Sequence, residues 1–309
     1  MNKYVLISAY FGNLPENFDL WLKSASRNTC VDFLLVSDAD PLQFNAIPDN
    51  VKFLSMTFSE LKTLFQSKFE FEIFLDKPYK LCDYKPAYGY IFQDHISDYE
   101  YWGHIDLDTI LGDLTKFLPT EDYDKIYVYG HMCLYKNTAE NNSRFMLDGG
   151  MDYRHVFTTD FNMIFDELPG MYKKFRLLDI PQYTSNDFAD IARRRLNFTL
   201  NEKLCRKNYK YQIFYYENGG VFRDYYENGK INTDEFNYIH FSNRNIPNKT
   251  NGSENYYITR FGFLAKNSDT TLDIIKKLNG PTPIQNIYYY IKVQIIRRIK
   301  RIIKYLVKK

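Results

Sequence analysis

Three apolar runs, each too short for a helix and each followed by turn residues, constrain the start of this chain more than any other feature. Tyr4-Val5-Leu6-Ile7-Ser8 is bounded by Gly12 and Pro15, Val31 to Val36 ends at Ser37-Asp38, and Val51-Lys52-Phe53-Leu54 is the third. Such runs read as buried strands. Asn17 to Ser26 lies between the first two and sets Phe18, Leu22 and Ala25 on one helical face. Thr57 to Phe69 repeats the pattern with Leu61, Leu64 and Phe65, capped by Thr57 or Ser59. Strand, helix, strand, strand, helix at these spacings predicts an α/β domain with a mainly parallel sheet. Ligands of such sheets sit at the carboxyl ends of the strands. No GxGxxG follows the first strand and no GxxxxGK[ST] occurs, so dinucleotide and P-loop chemistry lose their usual support.

The rest of the body continues in this style. Lys80 to Phe92 becomes helical in its second half, with Pro86 in the first turn and Lys85 just before it. Tyr99 to Ile105 and Lys125 to Gly130 read as strands, and Asn141 to Tyr153 as a polar loop or a lid. Hydrophobic residues are 45% and charged residues 25%, which excludes disorder, collagen and a multispanning membrane protein. The 28 Tyr and 25 Phe fit either general composition or an aromatic cleft suited to sugar rings. Cys30, Cys82, Cys133 and Cys205 lack CxxC spacing and read as free thiols of a reducing cytoplasm. The first apolar run is too short for a signal sequence.

Charge divides the chain. After Asp273 come ten Lys or Arg and no acid, which leaves 30 basic against 38 acidic residues before it, a net charge of −8. Gly280-Pro281-Thr282-Pro283 punctuates the chain, so residues 1–279 form the expected body and 284–309 a separate helix. In that helix Ile284, Ile287, Ile291, Ile295, Ile299, Ile302 and Leu306 recur at steps of three or four. Lys292, Arg298, Lys300, Arg301, Lys304 and Lys308 fall between them. This pattern suits an interfacial helix on an anionic membrane surface, or an arm docked on protein. No base-reading module accompanies it, and the acidic body would repel phosphates, so nucleic acid is not an expected partner.

Asp106-Leu107-Asp108 follows the strand that ends at Ile105. In an extended segment both carboxylates leave the same face and can converge on one hard cation, Mn²⁺ or Mg²⁺. Such an ion neutralises a diphosphate leaving group. The triplet alone is a weak signal, because Asp38-Ala39-Asp40 and Asp122-Tyr123-Asp124 also occur.

Lys80-Leu81-Cys82-Asp83-Tyr84-Lys85-Pro86, Trp102-Gly103-His104-Ile105-Asp106-Leu107-Asp108 and Leu111-Gly112-Asp113 together resemble a family of bacterial glycosyltransferase-like proteins of capsule and exopolysaccharide clusters. Ala9 to Pro15 with Trp21-Leu22, and Tyr238-Ile239-His240-Phe241, fit the same resemblance, which spans about residues 3 to 265. It implies a GT-A type fold, a Rossmann-like mixed sheet flanked by helices that binds a nucleotide sugar through an Asp-x-Asp metal motif. By position it implies that Asp106 and Asp108 hold the metal, Asp106 also touching the donor. It places Asp83 and Lys85 beside the donor nucleotide, Asp38 near the ribose or base, and Tyr10 and Phe11 stacked on the base. A late His-Phe pair makes His240 a third metal ligand; the other reading is a core histidine. Asp166-Glu167 are the candidate catalytic carboxylates on the acceptor side, or alternatively a helix cap and first-turn charge. His131 is the candidate acceptor contact.

The resulting expectation is a metal-dependent transfer of hexose from a nucleotide sugar, UDP-linked, to a saccharide or lipid-linked oligosaccharide in capsule or exopolysaccharide synthesis. Retention of configuration is favoured, and the enzyme is expected in the cytoplasm, peripheral at the inner face of the membrane. The alternatives are a non-catalytic sugar-binding or scaffold protein with a degenerate site, and a metal-dependent nucleotidyltransferase.

Overall fold

A strand covered on both faces must be apolar nearly throughout. β2 (Val31–Ser37) is buried along its whole length and carries a single charged side chain, Asp32. That carboxylate is matched by Lys52 Nζ at 2.8 Å and the Tyr99 hydroxyl at 2.6 Å. In this computed structural model the described residues are 2–193, 195–201, 203–242 and 244–280, followed by 287, 291, 292, 294–296, 298 and 299. They divide into two compact units, Met1–Leu107 with Leu114–Ser185, and Asp108–Asp113 with Asn186–Lys309.

The first unit is built on a seven-stranded sheet. β1 (Tyr4–Tyr10) lies between β2 and β4 (Tyr101–Ile105), and β3 (Val51–Ser55) flanks β2, all four parallel. β5 (Thr109–Leu111) belongs to the second unit. β6 (Lys125–Tyr129), β7 (Met132–Lys136) and β8 (Gln182–Tyr183) complete the order β3-β2-β1-β4-β7-β6-β8, with β7 antiparallel to β4. The mixed sheet with flanking helices is the α/β architecture expected from the sequence. α1 (Phe18–Ser26) connects the parallel pair β1 and β2, as a crossover must. α2 (Phe58–Gln66) starts with a capping box: Thr57 accepts from the Glu60 N–H, and Glu60 accepts from the Thr57 N–H.

The segment before β4 departs from the single helix expected after Lys85. It is a run of short turns from Pro78–Lys80 to Gln93–Ile96. Pro86 sits inside that run, where its missing N–H tightens the chain to a 3₁₀ turn at Lys85–Ala87. Packing compensates: Tyr84 stacks on Phe157 with centroids 4.2 Å apart, and Phe65 meets Tyr84, Tyr88 and Phe92. Many of the chain's aromatic rings therefore form core. The segment Asn141 to Tyr153 is not a simple loop either. Asn141, Asn142, Arg144 and Phe145 are buried, and only its later part is exposed.

The second unit has a six-stranded sheet that the sequence reading did not foresee. β10 (Gln212–Glu217), β11 (Gly220–Glu227) and β12 (Lys230–Phe236) form antiparallel hairpins. Their turns, Asn218-Gly219 and Asn228-Gly229, all have positive φ, the geometry that two-residue hairpins need. β15 (Tyr256–Thr259), β16 (Gly262–Ala265) and β14 (Asn248–Lys249) continue the sheet on the β10 side. The helix Leu272–Asn279 packs Ile275 against Ile213, Tyr215 and Tyr257. A separate three-stranded sheet joins β5, β13 (Tyr238–His240) and β9 (Ala189–Asp190). Phe236 ends β12 and Tyr238 begins β13, and at buried Asn237 between them the chain changes sheets. Of the C-terminal helix expected over 284–309, most lies outside the described residues.

Gly89 tests the packing behind β4. A Cβ there would stand 2.1 Å from the Trp102 ring, which is itself fully buried. Gly89→Ala is expected to destabilise the chain by about 1–3 kcal/mol, through overpacking. Urea unfolding followed by Trp fluorescence measures it; an unchanged midpoint would contradict this packing.

Candidate functional site

β4 delivers its carboxyl end to Asp106, whose N–H donates to the His131 carbonyl at 3.0 Å. The β6–β7 pairing shifts between Ile126 and Tyr129, with Tyr127 at φ 66°, and this bulge leads into Gly130-His131. Lys85 is buried and gives its ammonium hydrogens to three acceptors: Asp106 Oδ1 at 2.6 Å, Asp166 Oδ2 at 3.2 Å and the Gly130 carbonyl at 2.7 Å. Glycine is needed at 130, since a Cβ would meet Asp166 Oδ2 at 2.3 Å. The first unit therefore brings Lys85, Asp106 and Asp166 together.

One ammonium between two carboxylates leaves excess negative charge. Burial, joined by Glu167 and Asp106 and opposed by Lys85, pushes the Asp166 carboxyl up to about 7. Burial acts to lower the Lys85 pKa, but Asp106 and Asp166 hold it well above the usual lysine value. Lys85 stays charged, and its three donors are engaged. Lys85, expected beside the donor nucleotide, holds Asp106 and Asp166 in position.

Two other residues expected at the donor, Asp83 and Phe11, are buried. Asp83 is fully buried: it accepts from Lys80 Nζ at 2.8 Å, the Met163 N–H at 2.9 Å and the Phe165 N–H at 3.1 Å. It fixes the loop that carries Asp166. Phe11 is a core residue, edge-on to Phe58 with centroids 5.4 Å apart, and offers no face to a base. Tyr10 is half-buried at the carboxyl end of β1, and Asp38 is exposed just past β2, where its Oδ1 accepts from the Gly12 N–H at 2.9 Å. His131 is buried with its ring stacked on Tyr129. Glu167 is half-buried at the N-cap of the turn Leu168–Tyr172, and its side chain makes no cap hydrogen bond.

The second unit assembles another group. β5 runs antiparallel to β13, pairing Thr109 with His240, and β13 runs parallel to β9, pairing His240 with Asp190. The Phe241 N–H donates to the Asp108 carbonyl at 2.9 Å. His240 Nδ1 lies 2.8 Å from Asp190 Oδ1, and Nε2 lies 3.4 Å from Asp108 Oδ1. Burial would lower the His240 pKa, but Asp108 and then Asp190 raise it well above the ordinary value. Asp190 also accepts from Ser242 Oγ at 3.0 Å and Asn201 Nδ2 at 3.2 Å. Nδ1–H donates to Asp190, and with the pKa raised Nε2 carries a proton toward Asp108; a divalent ion bound there would take the place of that proton. Asp108 and His240 keep 17% and 13% of their side-chain surface exposed, enough for an ion to reach. Carboxylate oxygen and imidazole nitrogen are donors that a divalent cation can take.

Asp190 escaped the sequence reading because nothing local marks it; β9 has two residues and its partner lies 50 positions on. The other Asp-x-Asp triplets have structural roles. Asp40 caps Pro41–Gln43, Asp122 pairs with Lys136 at 2.9 Å, and Asp124 with Arg144 at 3.2 Å.

A sequence profile for a family of unknown function, DUF6625, matches residues 6–267. No curated protein matches the chain. Similar solved structures include the galactosyltransferase LgtC with donor and acceptor sugar analogues, at TM-score 0.37 and 11% identity over 61% of this chain and 75% of that one. An active-site mutant of LgtC gives TM-score 0.37 and 10% identity, over 61% and 74%. The apo glycosyltransferase GlyE of Streptococcus pneumoniae TIGR4 gives 0.34 and 12%, over 60% of this chain and 46% of that one. Likeness this remote transfers no activity.

Two measurements check the buried charges. Asp83→Ala strands the Lys80 ammonium and two backbone donors, and should cost about 3–5 kcal/mol in urea unfolding. Asp166 binds a proton more tightly in the folded chain than in the unfolded one. Its contribution favours folding below pH 4 and is lost as pH rises to about 7. In EDTA, Asp166→Asn should therefore flatten the fall of melting temperature across that window; an identical pH profile would contradict the assignment.

Proposed function

We propose a function for a chain that belongs to the DUF6625 family of unknown function: metal-dependent transfer of a hexose from a nucleotide sugar, UDP-linked, to a saccharide or lipid-linked acceptor. The observation that carries the reading is His240, held by Asp190 on one nitrogen and facing Asp108 on the other. Asp108 is joined to Asp106 through Leu107 alone, so the chain limits their Cα separation to about 7 Å. Asp106, Asp108 and His240 are the ligands in this reading.

When bound, Mn²⁺ or Mg²⁺ neutralises the diphosphate that leaves as the sugar departs. This chain's residues do the rest. Asp190 orients the His240 ring through Nδ1–H, so that a metal ion would take the place of the Nε2 proton. Lys85 holds Asp106 in place, and Asp83 fixes the loop that carries Asp166. Tyr10 and Asp38, at the carboxyl ends of β1 and β2, are the residues for the nucleoside. Glu167, the more accessible of the two candidate carboxylates, meets the acceptor hydroxyl, and Asp166 exchanges a proton near neutral pH. His131 contributes its carbonyl to Asp106 rather than an open ring to the acceptor. A nucleotidyltransferase reading is weaker, because Lys80 and Lys85 are buried and bound to carboxylates instead of forming a cradle for a triphosphate. Capsule or exopolysaccharide assembly is the setting that the sequence resemblance favours.

UDP calorimetry tests the reading. Affinity should require Mn²⁺ and fall at least about tenfold in Asp108→Asn and His240→Asn, and Asp190→Asn should weaken Mn²⁺ binding about 10- to 100-fold. UDP binding that EDTA leaves unchanged would exclude the metal role. NMR of the glycoside formed from a UDP-hexose reads whether configuration is retained.

A further inference from the structure

An isoleucine left in water has a cost, and four of them spaced four residues apart need a reason. Ile287, Ile291, Ile295 and Ile299 are helical, and 60%, 50%, 51% and 49% exposed. A step of four residues advances about 40° around a helix, so the four span a face of about 120°. On a helix that spacing corresponds to a rise of about 18 Å. Lys292 and Arg298 are exposed too, and each adjoins one of these isoleucines in sequence, where a long aliphatic stem can run along an apolar face with its charge at the edge. Among the described residues no helix is long and apolar enough to cross a membrane.

Charge selects the occupant. From Ile274 to Lys309 there are ten Lys or Arg and no Asp or Glu. Two copies of such a segment, paired along their apolar faces, would bring like charges together with nothing to offset them. A nucleic acid would meet the charges but leave the isoleucines in water. An anionic lipid surface satisfies both: the isoleucines enter the acyl boundary, and the cations stay at the headgroups.

We infer that the segment carrying Ile287, Ile291, Ile295 and Ile299 binds the surface of an anionic bilayer, lying along it and not through it, and so holds the chain peripherally on a membrane. This inference does not depend on the metal site, and the two fail separately, since lipid binding is read without nucleotide or metal.

The test is co-sedimentation of the full chain with vesicles of phosphatidylcholine and phosphatidylglycerol at about 2:1, against phosphatidylcholine alone. Wild type should partition at least about tenfold more strongly to the anionic vesicles, and less as salt rises. Ile291→Gln, Ile295→Gln and Ile299→Gln together leave the charge unchanged and should lower that partition at least about tenfold. An unchanged melting temperature shows that the body remains folded. Wild type staying in the supernatant, or the triple variant sedimenting as well as wild type, would overturn the inference. So would a dimer in sedimentation velocity that the triple variant dissolves while no vesicle binding occurs, which would assign the face to a second copy.

Discussion

A lysine ammonium cannot stay charged in a protein interior unless its hydrogens are taken up, and Lys85 places all three. Asp106, Asp166 and the Gly130 carbonyl receive them. Each acceptor lies on a different segment, so one side chain sets the end of β4, the β6–β7 turn and the loop at residue 166 in fixed relation. The same loop is held from behind by Asp83, which is paired with Lys80 and accepts from the Met163 and Phe165 N–H groups. Two buried lysine–aspartate systems thus make a polar scaffold beneath a sheet whose other support is aromatic packing.

In the second unit the controlling constraint is strand register. His240 sits beside Asp190 and close to Asp108 because β13 pairs with β9 on one side and β5 on the other. A slip of one residue in either pairing would turn the imidazole to the opposite face. Such a site needs no long-range charge steering; the backbone ladder of a small sheet aligns an acid, a base and an acid.

Much of this organisation was legible in the sequence, and the gaps have physical causes. β1, β2 and β3 announced themselves because a parallel strand covered on both faces leaves little room for polar residues. Asp106 and Asp108 were visible because they are neighbours. Lys85 stands in a local motif, but its pairing with Asp166 depends on a loop 81 residues away in sequence. Phe11 follows a strand, where a side chain can point to ligand or core, and only the position of Phe58 decides. The second sheet had readable signals in Asn218-Gly219 and Asn228-Gly229, which mark hairpins more strongly than any apolar run nearby.

The segment Asp108–Asp113 is counted in the second unit although residues of the first unit precede and follow it. Neither unit is therefore a continuous stretch of coding sequence. Recombination that exchanged one of them would have to cut between Leu107 and Asp108, inside the Asp-Leu-Asp triplet, and again after Asp113. The boundary in sequence falls inside the Asp-Leu-Asp triplet, so an exchange made there would separate Asp106 from Asp108 on the chain.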